Sequence, residues 1–244
     1  MIFDYLVYIL FGLIPSFLWL SFYLKKDSHP EPKLKILEVF CGGILAAIIA
    51  AIVETLVLKR VIIFAFPNSF FRLISIFVII AIIEETLKYL VVCLLVLRDS
   101  EFDEPIDLLV YLIVSALGFA ALENTFLFFS ENMQILETII ISSLRFVGAT
   151  FLHALCSGIF ASLVAISFFK RGRRITFAFL GFLSAVILHS LYNLFIIKAN
   201  GLWRFVVPTL FLTLLAGILS LFLTKLKKMK SVCETEREKL KIGT

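Results

Sequence analysis

The chain has 244 residues, 61% of them hydrophobic, and a mean hydropathy of +1.06. An ordinary soluble domain is nearer half apolar, so the composition excludes one and predicts an all-α, polytopic transmembrane helical bundle. The net charge is +5, but the bases gather in loops and near the C-terminal end, which fits orientation in a lipid bilayer and argues against a nucleic-acid partner.

Spanning hydrocarbon takes about 20 apolar residues. Runs of that kind are expected at 3–24, 36–58, 73–97, 107–129, 148–169, 175–197 and 203–224. The first contains Asp4 and follows no basic residue, so it reads as a retained span rather than a cleaved signal peptide. A shorter apolar segment at 135–147 contains Arg145. It fits a short or re-entrant helix, or the start of a long bent one. Seven or eight spans are therefore expected, forming one transmembrane domain over 1–224, with a charged tail at 225–244. The cysteines at 41, 93, 156 and 233 form no CxxC, so neither a disulfide framework nor a thiolate metal site is expected.

Loop charges predict the orientation. Lys25, Lys26, Lys33 and Lys35 follow span one; Lys170, Arg171, Arg173 and Arg174 follow span five; Lys225, Lys227, Lys228 and Lys230 begin the tail. With seven spans these three regions share one side, which is then cytoplasmic. The loop after span three is the weak point, with Arg98 among Asp99, Glu101, Asp103, Glu104 and Asp107, but acids contribute little to the rule. The expectation is an N-terminus outside and a C-terminus inside, in a bacterial-type plasma membrane.

Chemistry-bearing residues interrupt these runs. Glu84, Glu85 and Lys88 lie inside span three. A charge at a helix centre costs at least roughly 2.5–3.5 kcal/mol, so an intramembrane ionisable group reads by default as functional and paired. Glu84 and Lys88, four apart, share a helix face; Glu85 can also reach Lys88 at three. Glu123 and Asn124 follow the small residues Gly118, Ala120 and Ala121 in span four, where helices can approach closely. His153 lies early in span five, and His189 and Asn193 share a face of span six. Glu54 reads as interfacial, near the outer end of span two and within reach of Lys59. At about 1.5 Å per residue, the depths of Glu84, Glu85, Glu123, His153 and His189 can be reconciled, in the outer half of the bilayer or near its middle.

Such a set fits peptide hydrolysis. A glutamate can take a proton from water, and a second acid or an imidazole can protonate the leaving amine. His153, His189 and Glu123 could together hold a zinc ion. An Asn193 amide can stabilise an oxyanion. HExxH and GxSxG are both absent, which excludes a standard zincin site and a serine elbow.

The motifs, taken in order, resemble the PrsW family of intramembrane proteases, within the wider clan of CAAX prenyl endopeptidases. Tyr23-Leu24-Lys25-Lys26-Asp27 with Glu31-Pro32 looks like its first cytoplasmic loop. Glu84-Glu85-Thr86-Leu87-Lys88 fits its EExxK motif, and Phe102-Asp103-Glu104 with Asp107 its acidic loop. Gly118-Phe119-Ala120-Ala121-Leu122-Glu123-Asn124 fits GFAxxEN, Phe151-Leu152-His153-Ala154-Leu155 the histidine segment, and His189-Ser190-Leu191-Tyr192-Asn193 the final HxxxD or HxxxN motif. The resemblance implies a CAAX-protease-like bundle with glutamate-dependent or metal-dependent proteolysis. It also implies a first, extracytoplasmic-side cut in a single-span membrane protein such as an anti-sigma factor. It casts Glu84 as general base, Glu85 as its orienting partner or proton shuttle, and Glu123, His189 and Asn193 as further catalytic residues, with Lys88 and Asn124 supporting. Asn193 stands where some members carry Asp, which removes a charge but keeps an amide hydrogen bond.

Two other classes are open to the same polar set. A proton- or ion-coupled transporter also uses buried Glu, His and Lys, but the chain has no internal repeat and no pair of Gly/Pro-broken spans. A non-catalytic scaffold would leave the whole set chemically silent.

Overall fold

A computed structural model describes residues 2–25, 31–59, 69–97, 99, 102, 104–169, 174–201 and 203–226. Within them run eight helices: α1 (Ile2–Leu24), α2 (Lys33–Val57), α3 (Ser69–Leu95), α4 (Pro105–Glu131), α5 (Ile135–Val147), α6 (Ala149–Phe169), α7 (Arg174–Lys198) and α8 (Trp203–Leu226). The fold is an all-helical, polytopic membrane bundle. Most of the charged tail expected at 225–244 lies outside the described residues, which end at Leu226.

Six segments are long and apolar enough to cross a membrane: Ile2–Leu24, Lys33–Val57, Pro105–Glu131, Ile135–Ser167, Ile175–Lys198 and Val206–Leu226. Helix α3, with 27 residues, reaches about 40 Å at 1.5 Å per residue. Its charges, Arg72, Glu84, Glu85 and Lys88, are what lower its apolarity. With α3 the candidate crossings number seven among the described residues.

The short segment at 135–147 turns out to be the first limb of a bent run. Helix α5 ends at Gly148, whose backbone (φ −99°, ψ −102°) breaks the path, and α6 begins at the next residue. A side chain at Gly148 would stand 2.5 Å from the Tyr192 hydroxyl, so the bend and the approach of α7 both use the missing Cβ. Limb α5 is amphipathic and lies mainly along α1, where Ser142 donates to the Phe11 carbonyl at 2.6 Å and Trp19 donates to the Phe146 carbonyl at 2.7 Å.

Helix α4 is the axis of the bundle. It starts at Pro105 behind a reciprocal cap, in which the Glu104 amide donates to Asp107 at 2.7 Å, and ends at Asn132 in the left-handed region (φ 47°). Every residue from Pro105 to Ala121 is buried, packed by α1, α2, α3 and α6. An apolar surface on all sides is what a helix surrounded by other helices requires. The approach of α2 is at backbone distance: a Cβ on Gly43 would meet the Ser115 carbonyl at 2.1 Å, and one on Gly118 the Phe40 carbonyl at 2.1 Å. Small residues, rather than expelled water, let membrane helices come this close. At the Glu31 end of the bundle the buried Tyr111 hydroxyl donates to Glu31 at 2.5 Å, and Lys35 pairs with Asp99 at 2.7 Å.

Candidate active site

The polar groups singled out from sequence converge inside the bundle. Helix α3 supplies Glu84, Glu85 and Lys88, α4 supplies Glu123, α6 supplies His153 and α7 supplies His189. All but Glu123 are buried, and Glu85 and Lys88 are fully so, at 0% exposure each. The Glu123 side chain is 40% exposed. These groups border a cavity of about 990 Å³ whose walls are mainly apolar; Glu84, Glu123, His153, His189, Tyr192 and Asn193 all line it. Helices α3, α4, α6 and α7 meet here because they pack on one another as neighbours: α3 on α4 and α7, α6 on α4 and α7.

The hydrogen bonds assign protons. Lys88 lies 2.9 Å from His153 Nδ1, and an ammonium can only donate, so Nδ1 carries the lone pair. The opposite nitrogen, Nε2, lies 2.8 Å from a Glu123 oxygen and therefore donates its proton there. His189 is arranged the other way round. Its Nδ1 donates to Glu85 at 2.9 Å, which leaves Nε2 with the lone pair. Both unprotonated nitrogens lie near Glu84 Oε2, His153 Nδ1 at 3.8 Å and His189 Nε2 at 3.9 Å, with the His153 lone pair accepting from Lys88. The two rings stand edge to face, with centroids 5.0 Å apart.

The two adjacent glutamates are not equivalent. Glu85 receives Lys88 at 2.7 Å, His189 at 2.9 Å and Ser157 at 3.3 Å. Glu84 Oε2 lies 3.4 Å from Lys88 but accepts no hydrogen bond, although it is buried. Spacing lets Lys88 reach either glutamate; the structure gives the closer pairing to Glu85, with the ammonium set between Glu85 and His153. Lys88 also sits over the Phe119 ring, 4.8 Å from its centroid.

Ligand atoms of Glu84, His153 and His189 lie within 4.8 Å of one another, so this buried group could hold a metal ion. Two imidazole nitrogens and a carboxylate oxygen would match the three-ligand donor set of an open metal site once Lys88 gave up His153 Nδ1. In each histidine the other nitrogen is fixed by a second carboxylate, the arrangement that orients metal-bound imidazoles. Glu123, grouped with the two histidines from sequence, stands on the far side of His153 as that second carboxylate. It also pairs with Arg145, whose Nη2 is 3.0 Å from Oε1. Asn124 is buried and bridges helices, donating to Thr150 at 3.0 Å and accepting from Arg145. Asn193 lies one turn beyond His189 on the cavity wall.

Two residues were left without a role at the site in the sequence reading. Glu54, read as interfacial from sequence, lines the cavity, and its Oε1 is buried without a hydrogen-bond partner. Arg145 was noted only as a charge in an apolar segment, and its partner on α4 could not be read without the bend at Gly148.

A buried Glu/His/His group that could hold a metal ion, beside carboxylates that accept from both imidazoles and opening on a mainly apolar cavity, fits a membrane-embedded hydrolase. The chain belongs to the PrsW proteases: residues 31–222 match the family described as PrsW family intramembrane metalloprotease. It is similar to Protease PrsW of Clostridioides difficile (strain 630), with 26% identity over 84% of this chain and 85% of that one. Protease PrsW of Geobacillus kaustophilus (strain HTA426) is 30% identical over 80% of this chain and 81% of that one, and Protease PrsW of Oceanobacillus iheyensis 27% identical over 77% and 81%. No solved structure matches the chain. The protein is an intramembrane peptidase, and the transporter reading is not favoured.

Proposed function

We propose that the chain cuts single-span membrane proteins near the extracytoplasmic side of the bilayer, in the manner of the first cut in an anti-sigma factor, with Glu84, His153 and His189 at the reacting centre. The observation that carries this reading is that two unprotonated imidazole nitrogens lie 3.8 and 3.9 Å from the buried, hydrogen-bond-free Glu84 Oε2. The N-terminus lies outside and the C-terminus inside a bacterial-type plasma membrane, which rests on the basic regions around Lys25, Arg174 and Lys225.

A substrate helix must unwind before its peptide bond can react, and its freed backbone groups then need partners that hydrocarbon does not supply. Glu54, Tyr192 and Asn193 on the cavity wall can serve them. The scissile carbonyl lies against His189 and Asn193, whose amide hydrogen-bonds the developing oxyanion. Glu84 accepts the proton of the attacking water through its second oxygen, Oε1. Glu84 then passes that proton to the leaving amine as the C–N bond breaks, while Glu123, on the cavity wall, accepts from His153 and holds its ring. Glu85, saturated by three donors, orients His189 and holds Lys88. Zinc held by Glu84, His153 and His189 would supply an acidified water and polarise the carbonyl. Lys88 would then have to give up His153 Nδ1 while keeping Glu85.

The test is cleavage of single-span peptides by purified protein in detergent. Glu84→Gln, inserted and folded, should cut nothing, and Glu85→Gln should be severely impaired. Wild-type rates from both variants would refute the assignment.

A further inference from the structure

Arg145 carries a charge into an apolar segment and has no part in the steps above. Its helix, α5, buries only Thr138 and Ser142, and its backbone-level ties run to α1. Arg145 alone of the α5 side chains described here reaches the site carboxylates. Its guanidinium meets two neighbours on α4 at once: Nε donates to Asn124, and Nη2 forms an ion pair with Glu123 Oε1 at 3.0 Å without hydrogen-bond geometry. Asn124 in turn donates to Thr150, one turn before His153 on α6. A planar guanidinium held at two points is a rigid bracket in a way that an ammonium is not.

Glu123 needs such a bracket. Its side chain is 40% exposed to the cavity, so burial does not fix its rotamer. One oxygen is given to Arg145 and the other to His153 Nε2 at 2.8 Å. Without the guanidinium, the carboxylate is free to turn into the cavity, and His153 loses the acceptor that holds its Nε2 proton. Lys88 would still mark Nδ1 as the lone-pair nitrogen, but the ring would be held from one side only.

We propose that Arg145 is a positioning residue that acts through Glu123, holding the His153 ring so that its Nδ1 faces Glu84 and His189. The inference rests on the reading of His153 as part of the reacting centre. It differs from a purely structural role, in which Arg145 would anchor α5 and its loss would lower stability without changing the imidazole.

The chain has three histidines, His29, His153 and His189, so selective ¹⁵N-histidine labelling gives a spectrum that single substitutions can assign. The readout is exchange of the His153 Nε2 proton with solvent in purified protein, measured beside kcat, KM and thermal unfolding. In Arg145→Gln the proton should exchange at least about tenfold faster, the scale of one lost charge-assisted hydrogen bond. The value of kcat should fall about 10–100-fold, as for other partners of metal-ligand histidines, with KM changed less than about threefold. Arg145→Lys, which keeps the charge, should recover part of both. Arg145→Met, apolar and of similar length, gives the same readout if the glutamine variant does not accumulate. Unchanged proton exchange in Arg145→Gln or Arg145→Met, whatever happens to thermal stability, overturns the proposal. The exchange measurement needs no substrate, so it decides the role of Arg145 even if the peptide assay fails.

Discussion

Lys88→Met removes an ammonium that is fully buried and makes three polar contacts: Glu85 at 2.7 Å, His153 Nδ1 at 2.9 Å and Glu84 at 3.4 Å. Methionine fills a similar volume and spares the cost of desolvating a cation, so lost packing is a minor part of the change. The larger part is electrostatic. Taking one partner from a buried ion pair costs about 3–5 kcal/mol, because the other charge stays buried and unpaired. Here two carboxylates share the lost cation. A chain of this length shifts by about 2–4 °C per kcal/mol, which gives a fall in the unfolding midpoint of about 6–20 °C. Glu85→Gln should cost only about 1–3 kcal/mol, since Lys88 keeps Glu84 and the amide oxygen still accepts. The double variant should then be more stable than the two single costs add to, with a coupling of about 1–3 kcal/mol. Thermal unfolding of the four proteins, followed by helical circular dichroism in one detergent, measures this. A Lys88→Met midpoint within about 2 °C of wild type, or costs that simply add, would refute the account of Lys88 as the neutralising centre.

Gly118→Ala places a Cβ 2.1 Å from the Phe40 carbonyl, a backbone atom that cannot rotate away, so α2 and α4 must part. The expected cost is about 1–3 kcal/mol or more, visible as a lower unfolding midpoint. Asn193→Ala should lower kcat by about 10²–10³, the loss for one oxyanion donor, and leave measurable cleavage; His189→Ala should leave none. Reporter fusions after Lys26, Arg174 and Lys228 should all report the cytoplasm, and one reporting outside would break the odd span count.

How much of this was legible in the sequence depends on the kind of signal. Glu84, Glu85, Lys88, Glu123, His153 and His189 stood out because a charge or imidazole inside a membrane span is costly, so each announces itself against an apolar background. Their pairing was less legible. Spacing allowed Lys88 to reach either glutamate, and the choice of Glu85 is made by His153 and His189, which belong to α6 and α7. The facing of α4 was not legible either, since a helix apolar on all sides has no stripe to orient it; Gly118 against Phe40 marks the contact only once the partner helix is known. Nor was the place of Glu54 on the cavity wall legible, since spacing along α2 does not say which neighbour its side chain meets. The bend at Gly148 left the 135–147 segment with three possible shapes, because a glycine in an apolar run permits a break without requiring one.

The most direct test of the central claim, that Glu84, His153 and His189 form the reacting centre, is metal content and peptide cleavage measured on the same purified preparation. The account predicts about one zinc per chain, as for a site with three protein ligands. It predicts that the zinc is lost in Glu84→Gln and in His189→Ala, and that stringent chelation stops cleavage until zinc is restored. Cleavage that continues at the wild-type rate after chelation, with no metal found in the protein, would contradict it.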